Sequence, residues 1–490
     1  MRILFIDPPG RTRGLNSGLA YLAAVLRESF PLSVLDLNNI PLDLCGGPNP
    51  AMPVQDAERK IRAAAEEFRP DVVGVSVKTS TAGISGHIVK FIKAGMPKII
   101  TLAGGPHIIL DGQKFIEENK VDFGVIGEGE DIALHLLKAL EGEGRAEEID
   151  GVYFWGDGKL GHNAPPPLMR NLDALPFPDF SAFSSVMENR GRIVEYPLLS
   201  SRGCPCDCSF CTMPSLMGRT WRSHTPERVV AELKQAGQKY GCTRFTVVDD
   251  NFTLDSGRAE RICDLLVAEN IRLPWNSQNG IRADHISTNL AAKMKRSGCT
   301  HVWIGVESAD EDVFRHIKKG ETLDNIREGI RALKQARIKV GGFFIVGLPL
   351  STRKADLASV NFVRAEGIDG WWFNFVPYPR TRAWDWIDGH GRWLRSPKDA
   401  LQYGSGDIEP VFETDDYPRE TRVRTYREIH VRLGLFERLA DPFVKTKGRW
   451  RKLYSLVRPF GLGAILAFLI FILKRSVRRR TRTRLTWDGI

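Results

Sequence analysis

The first 145 residues alternate between short, continuous apolar runs and longer amphipathic stretches. The runs are RILFID (Arg2–Asp7), LSVLDL (Leu32–Leu37), DVVGVSV (Asp71–Val77), KIITLAGG (Lys98–Gly105) and FGVIG (Phe123–Gly127). Gly18–Arg27, Asp56–Phe68, Gly86–Ala94 and Asp131–Leu140 carry the pattern of helices. Short strands apolar on both faces, separated by helices, predict an α/β domain over 1–145 with a doubly wound, parallel sheet. Residues 146–195 lose this alternation. VYFWGDGKLGH predicts a hairpin turning at GDG, and APPPLMRNLDALPFPDF carries five prolines, the composition of an extended linker.

In such a sheet, ligands bind beyond the carboxyl ends of the strands. Those ends read DPPG (7–10), SVKTS (76–80), GGPH (104–107) and GEGE (127–130). Four ends rich in glycine and small polar residues predict a face that a bulky ligand can approach closely. Its candidate contacts are Pro9, Ser76, Thr79, Gly104, Gly105, Pro106, His107, Gly127, Glu128, Gly129 and Glu130. No G-x-G-x-x-G opens the first helix and no G-x-x-x-x-G-K-[ST] occurs, which argues against a dinucleotide or P-loop site.

Composition adds three constraints. A chain of 490 residues implies roughly two to four domains. The net charge of +10 is concentrated at the C-terminus, where seven of the eleven residues 474–484 are Lys or Arg. Four of the eight cysteines fall within GCPCDCSFC (203–211), while Cys45, Cys242, Cys263 and Cys299 are scattered. A tight cluster in a large chain points to a metal site in a reducing compartment rather than a disulfide scaffold. Asp7, Pro8 and Pro9 cut the apolar run Met1–Ile6 short of a signal-peptide core, so a cytoplasmic location is expected.

Cys204, Cys208 and Cys211 fit the spacing C-x-x-x-C-x-x-C. Three thiolates hold three corners of a cubic [4Fe–4S] cluster and leave one iron open. A fourth, Cys206, would close the site and make it a structural zinc site or an electron carrier. Side-chain direction leaves both readings open, because on an extended segment Cys204, Cys206 and Cys208 share a face. Phe210 lies between the last two ligands, placed to shield the cluster.

With this spacing after a short strand, the block from residue 196 resembles the radical SAM superfamily. The resemblance implies that the open iron binds S-adenosylmethionine (SAM), with Cys206 an intervening residue. It also implies a partial (β/α)6 barrel over 196–395 with its site at the carboxyl ends of the strands. The remaining strands are then FTVVDDNF (245–252), LPWNSQNGIRAD (273–284), HVWIGVES (301–308), KVGGFFIVGLP (339–349) and WWFNFVPYPRT (371–381). The SAM contacts it implies are Asp249, Asp250 and Asn251, then Asn279 and Arg282, then Glu307, and Gly347 near the adenine. Taken singly, each also fits a helix cap, a turn or a structural ion pair.

The doubly wound sheet in front, with its GGPH and GEGE ends, makes residues 1–400 similar to the cobalamin-binding radical SAM enzymes. That resemblance implies cobalamin on the N-terminal sheet. No D-x-H-x-x-G surrounds any histidine, so the cobalt would lack a histidine ligand. The implied activity is methylation of an unactivated carbon of a small-molecule or lipid-like substrate, with ring formation, rearrangement or oxygenation as alternatives. A flavodoxin or ferredoxin would donate the electron. A non-catalytic iron–sulfur carrier is the contrasting class, but it has no need of a ligand-binding sheet or of these strand ends. Methylthiotransferases are excluded, because only Cys45 is available for their second cluster.

The region 396–490 predicts a helix over Asp415–Ala440 and an uncharged run, PFGLGAILAFLIFIL, over 459–473. As a helix that run spans roughly 22 Å, short of a bilayer crossing. Basic residues flank it on both sides: Lys445, Lys447, Arg449, Arg451, Lys452 and Arg458 before, and the 474–484 cluster after. The expectation is peripheral contact of 445–484 with the cytoplasmic face of a membrane. A buried helix with a solvated tail is the alternative. Nucleic acid is disfavoured, since the apolar run has no role there.

Overall fold

The structure, a computed structural model, describes residues 1–10, 13–39, 52–396, 408–436, 439 and 449–484. Cys45, Lys445 and Lys447 lie outside the described residues. The chain forms two compact units. The first comprises Met1–Gly305, Lys318–Gly341 and Pro377–Trp384, and the second Val306–Ile317, Gly342–Val376 and Asp385–Ile490.

In the first unit, the five apolar runs form β1 (Ile3–Asp7), β2 (Leu32–Asp36), β3 (Val72–Ser76), β4 (Ile100–Gly104) and β5 (Phe123–Val125). They lie in the order β2-β1-β3-β4-β5, every pair parallel. All five residues of β1 are buried, as a strand covered on both faces requires. Leu4, Ile6, Val73 and Val75 meet Ile61, Val89, Ile92 and Ile116 of the helices in one core. The order reverses between β1 and β3, so their carboxyl ends flank the crevice where such sheets bind ligands.

The sheet continues past residue 145. β6 (Val152–Gly156) and β7 (Lys159–His162) add antiparallel strands beyond β5. Asp157 and Gly158 both take positive φ, 50° and 74°, as a tight two-residue hairpin turn demands. The segment expected as a linker therefore begins inside the sheet. Its proline-rich remainder is anchored too: Phe180 and Phe183 are fully buried, and the Phe180 ring packs 5.5 Å from that of Tyr196.

The second block opens with β8 (Glu195–Leu198), followed by two short strands, β9 (Ser201–Arg202) and β10 (Arg222–Ser223), which pair antiparallel around the cysteine segment. Then come β11 (Arg244–Val247), β12 (Trp275–Ile281), β13 (Cys299–Glu307), β14 (Lys339–Val346) and β15 (Asp369–Asn374). The sheet order is β8-β11-β12-β13-β14-β15, so chain neighbours are sheet neighbours. Helices Pro226–Tyr240, Ser256–Ala268, Thr288–Arg296, Leu323–Gln335 and Arg353–Glu366 fill the connections. This is the strand–helix repeat of a partial barrel. Each of these helices starts from a Thr, Asp or Ser whose side chain accepts a backbone N–H of the first turn.

In the second unit, the expected C-terminal helix is observed over Arg419–Arg432, and later helices span Arg449–Val457 and Leu462–Arg484. Among the described residues no helix is long and apolar enough to cross a membrane.

Trp275 is the largest side chain fixed inside the first unit's barrel strands. It stacks on Phe245 at 5.8 Å and donates its indole N–H to Ser297 Oγ at 3.1 Å. Trp275→Ala is expected to cost about 3–5 kcal/mol, measured by denaturant unfolding.

Candidate active site

The loop from Gly203 to Thr212 has no regular backbone, so side chains from other elements must hold it. Three consecutive residues after β11 do so. Asp249 accepts from Ser200 N, Ser200 Oγ and Ser201 Oγ, each at 2.6 Å. Asp250 accepts from Gly203 N at 2.9 Å. Asn251 Nδ2 points at Cys204 Sγ at 3.7 Å. Burial pushes both carboxyls above their usual range, and the donated hydrogen bonds oppose that. Gly203 has φ of 85°, and a Cβ there would lie 2.2 Å from Thr220 O, so only glycine fits. Further along, Asp207 is paired with Arg219 at 2.6 Å and Arg382 at 2.7 Å. Ala383 N donates to Ser209 O at 2.9 Å, and Met213 N to Cys211 Sγ at 3.5 Å.

Cys204, Cys206, Cys208, Phe210 and Cys211 are all half-buried, and no disulfide joins any described cysteine. Cys206 stands beside Cys204, and its thiol hydrogen bond pulls the Cys204 thiol down to about 6 while its own is pushed up. Arg282 Nη1 donates to Cys206 Sγ at 3.0 Å. Among the described residues, no group of three or more His, Cys, Asp or Glu converges on a single ion. The donor set fits a [4Fe–4S] cluster, which takes one thiolate at each of three irons: thiols on one accessible loop, with N–H groups aimed at the sulfurs of Cys204, Cys206 and Cys211. Asn251 Oδ1, buried beside Cys204, has no protein partner.

The residues expected to contact SAM also have partners within the protein. Asp249 and Asp250 are occupied with the cysteine segment itself. Asn279 Nδ2 donates to Val248 O at 2.7 Å, closing β12 onto the end of β11. Arg282 is taken up by Asp284 at 2.6 Å, by Cys206, and by the carbonyls of Lys319 and Gly320 at 2.6 and 3.2 Å. Its guanidinium therefore serves the loops. Glu307 ends β13 with φ of 67°, a strained conformation for a residue with a side chain. Gly347 has φ of 81°, and a Cβ would sit 2.6 Å from Arg422 Cζ, so packing within the second unit explains this glycine.

At the carboxyl ends of the first sheet, Asp7, the last residue of β1, is fully buried. It accepts from Asn16 Nδ2 at 2.9 Å, and Asn16 Nδ2 also reaches Ser76 Oγ at 3.1 Å. Burial, then the neighbouring Asp7 charge, raises the Asp36 carboxyl to about 6. Gly105, at φ of 105°, packs so tightly on Val77 that a Cβ would meet its carbonyl oxygen at 3.0 Å. Gly104 and Gly127 are partly open, Pro106 and Pro9 lie at the surface or half-buried, and Thr79 is buried. Small side chains here, with Asp7 Oδ2 left without a partner, suit a large polar cofactor. His107 is buried against Phe115, and desolvation lowers its pKa.

Glu128 and Glu130, expected among the cobalamin contacts with Gly127 and Gly129, bind arginines. Arg202 donates to Glu128 at 2.9 Å and to Glu130 at 2.6 Å, and Arg222 donates to Glu128 at 2.7 Å. Burial opposes ionisation of Glu128, but Arg222 and Arg202 outweigh it and hold the carboxyl below its usual range. The reason is proximity: β9 and β10, which carry these arginines, frame the cysteine segment. Sequence reasoning missed Arg202, Arg222, Ser200 and Ser201. The signal available was the charge itself, two arginines flanking the cysteines.

Comparison with known proteins agrees with this architecture. The radical SAM superfamily model matches residues 198–362, and the B12-binding domain model matches residues 11–137. An uncharacterized methyltransferase of Pyrococcus horikoshii is 29% identical over 441 residues, 88% of this chain and 92% of that protein. An anaerobic magnesium-protoporphyrin IX monomethyl ester cyclase of Synechocystis is 27% identical, over 69% of this chain and 67% of that one. The solved structure of the cobalamin-dependent S-adenosylmethionine radical enzyme OxsB, with aqua-cobalamin bound, shares the fold. Its TM-score is 0.66 at 17% identity, over 96% of this chain and 72% of that one. The chain belongs to the radical SAM enzymes that carry a B12-binding domain. Its cofactors are accordingly a [4Fe–4S] cluster, SAM and cobalamin.

Two outcomes follow from the buried charges. Glu128→Ala strips Arg202 and Arg222 of a buried partner and is expected to cost about 3–5 kcal/mol in denaturant unfolding. His224, held by Tyr21 Oη at 3.1 Å and Asp173 at 2.9 Å, has its pKa lowered by burial to about 4. The unfolded chain binds this proton first, so stability present above pH 6.5 is lost as pH falls towards 4. The full loss is about 3 kcal/mol, and His224→Asn should flatten that limb of the pH–stability curve.

Proposed function

We propose that this enzyme is a cobalamin-dependent radical SAM C-methyltransferase acting on an unactivated carbon of a small-molecule or lipid-like substrate. Cys204, Cys208 and Cys211 hold the cluster, Asn251 lines the SAM side of it, and Ser76, Thr79, Gly104 and Gly105 line the cobalamin face. The observation that carries the reading is the cysteine loop, pinned by Asp249, Asp250 and Asn251 with N–H donors aimed at its sulfurs. Those donors stabilise negative charge on sulfur and so favour the reduced cluster. When bound, the three cofactors supply reductive cleavage of SAM, hydrogen abstraction and methyl transfer. The protein holds them in register and keeps water out. A flavodoxin or ferredoxin supplies the electron, in the cytoplasm. The relative named as a cyclase favours one second reading, ring formation with the same cofactors.

Anaerobically reconstituted protein, given dithionite and SAM, is expected to release 5′-deoxyadenosine. No release would make the chain an electron carrier instead. Cys204→Ala, Cys208→Ala and Cys211→Ala should each abolish both the cluster's visible absorption and this product. Cys206→Ala should keep both, and its failure would place Cys206 among the ligands. Cells fed methyl-deuterated methionine should yield a labelled metabolite that a deletion strain lacks. An unlabelled, ring-closed difference would select the second reading.

A further inference from the structure

Over 462–474, whose side chains the structure describes, the helix Leu462–Arg484 is attached to its unit by one face. On that face Ala464 and Phe468 are buried, and the Phe468 ring lies 5.5 Å from Phe436, 6.2 Å from Trp450 and 6.2 Å from Tyr454. The opposite face carries Leu462, Leu466, Leu469, Ile470 and Leu473, all exposed, with Leu462 85% and Leu473 65% accessible. At about 100° per residue these five fall within a sector roughly 100° wide, a continuous apolar stripe. It is roughly 16 Å long, half a hydrocarbon thickness, which suits a helix lying in a surface rather than crossing it. Trp450 and Tyr454 of the preceding helix are each 40% exposed, the amphipathic residues favoured at membrane interfaces.

Charge selects the occupant. Residues 442–487 hold thirteen Lys and Arg and no Asp or Glu. Arg451, Lys452, Arg458 and Lys474 are exposed near the two ends of the stripe. A second copy of the chain would bring two strongly positive surfaces together. A nucleic acid would use the charges and leave five leucine-type side chains in water. A bilayer with anionic headgroups satisfies both features at once.

We propose that the face Leu462–Leu466–Leu469–Ile470–Leu473 docks in the plane of an anionic membrane, with the flanking basic residues on the headgroups. This inference is independent of the reaction the enzyme performs. The test is flotation of the full chain with vesicles of mixed phosphatidylglycerol and phosphatidylcholine against vesicles of phosphatidylcholine alone. Wild type is expected to bind the anionic vesicles about tenfold better, with binding weakened by salt. Leu466→Glu, Leu469→Glu and Leu473→Glu together should lower that binding about tenfold while circular dichroism and thermal unfolding stay unchanged, since these side chains face solvent. A second variant, Arg451→Glu with Lys452→Glu, leaves the stripe intact and should weaken binding to anionic vesicles only. Equal binding to neutral vesicles, or leucine variants that bind like wild type, would overturn the proposal. So would a lipid-free dimer in sedimentation that the leucine variants dissolve, or duplex DNA binding in place of vesicle binding.

Discussion

A buried carboxylate cannot stay buried without donors, and that constraint shapes the centre of this enzyme. Asp249 is sealed from solvent and takes three hydrogen bonds from Ser200 and Ser201. Leaving it unsatisfied would cost several kcal/mol, so the two serines are fixed wherever the fold fixes Asp249. Asp250 and Asn251 extend the hold to Gly203 and Cys204. Arg258, whose charge offsets that of Asp249, also donates to Ser200 O at 2.7 Å. The cysteine loop is thus tied by hydrogen bonds to the residues that follow the strand next to it.

A second buried charge cluster works on the same segment from its other side. Glu128 and Glu130 begin the helix Gly129–Leu140 of the first sheet and receive Arg202 and Arg222, which bracket the cysteines. Tyr21 adds its ring to Arg202 at 5.0 Å and its hydroxyl to His224. Breaking one member leaves the others charged and dry, which is why such clusters hold geometry more effectively than they add stability. The loop that follows β5 and the loop that carries the thiols are therefore mechanically one piece.

Most of the architecture was legible in the sequence because parallel strands buried on both faces are written as unbroken apolar runs. RILFID and DVVGVSV could hardly be anything else once helices separated them. The hairpin at GDG was legible as a turn, but its membership of the first sheet was not, because strand pairing is set by packing rather than by local pattern. The cysteine motif was legible because Cys204, Cys208 and Cys211 sit within eight residues. The partners of the site were not. Asp250 meets Gly203 across 47 positions, Arg222 meets Glu128 across 94, and Arg282 meets Cys206 across 76. Motif reading assigns a polar residue at a strand end to a ligand. Here several such residues also have partners within the protein, since a buried charge needs donors or a counter-charge. Gly347 is a similar case, a glycine that Arg422 requires.

The lowered thiol of Cys204 also bears on the reactivity of the loop. A thiol near pKa 6 is largely thiolate at neutral pH, and the thiolate is the form that oxidants attack. The half-buried Cys204 thiol is therefore more reactive than one at the ordinary value. The hydrogen bonding that favours the Cys204 thiolate thus raises its reactivity towards iron and towards oxidants alike.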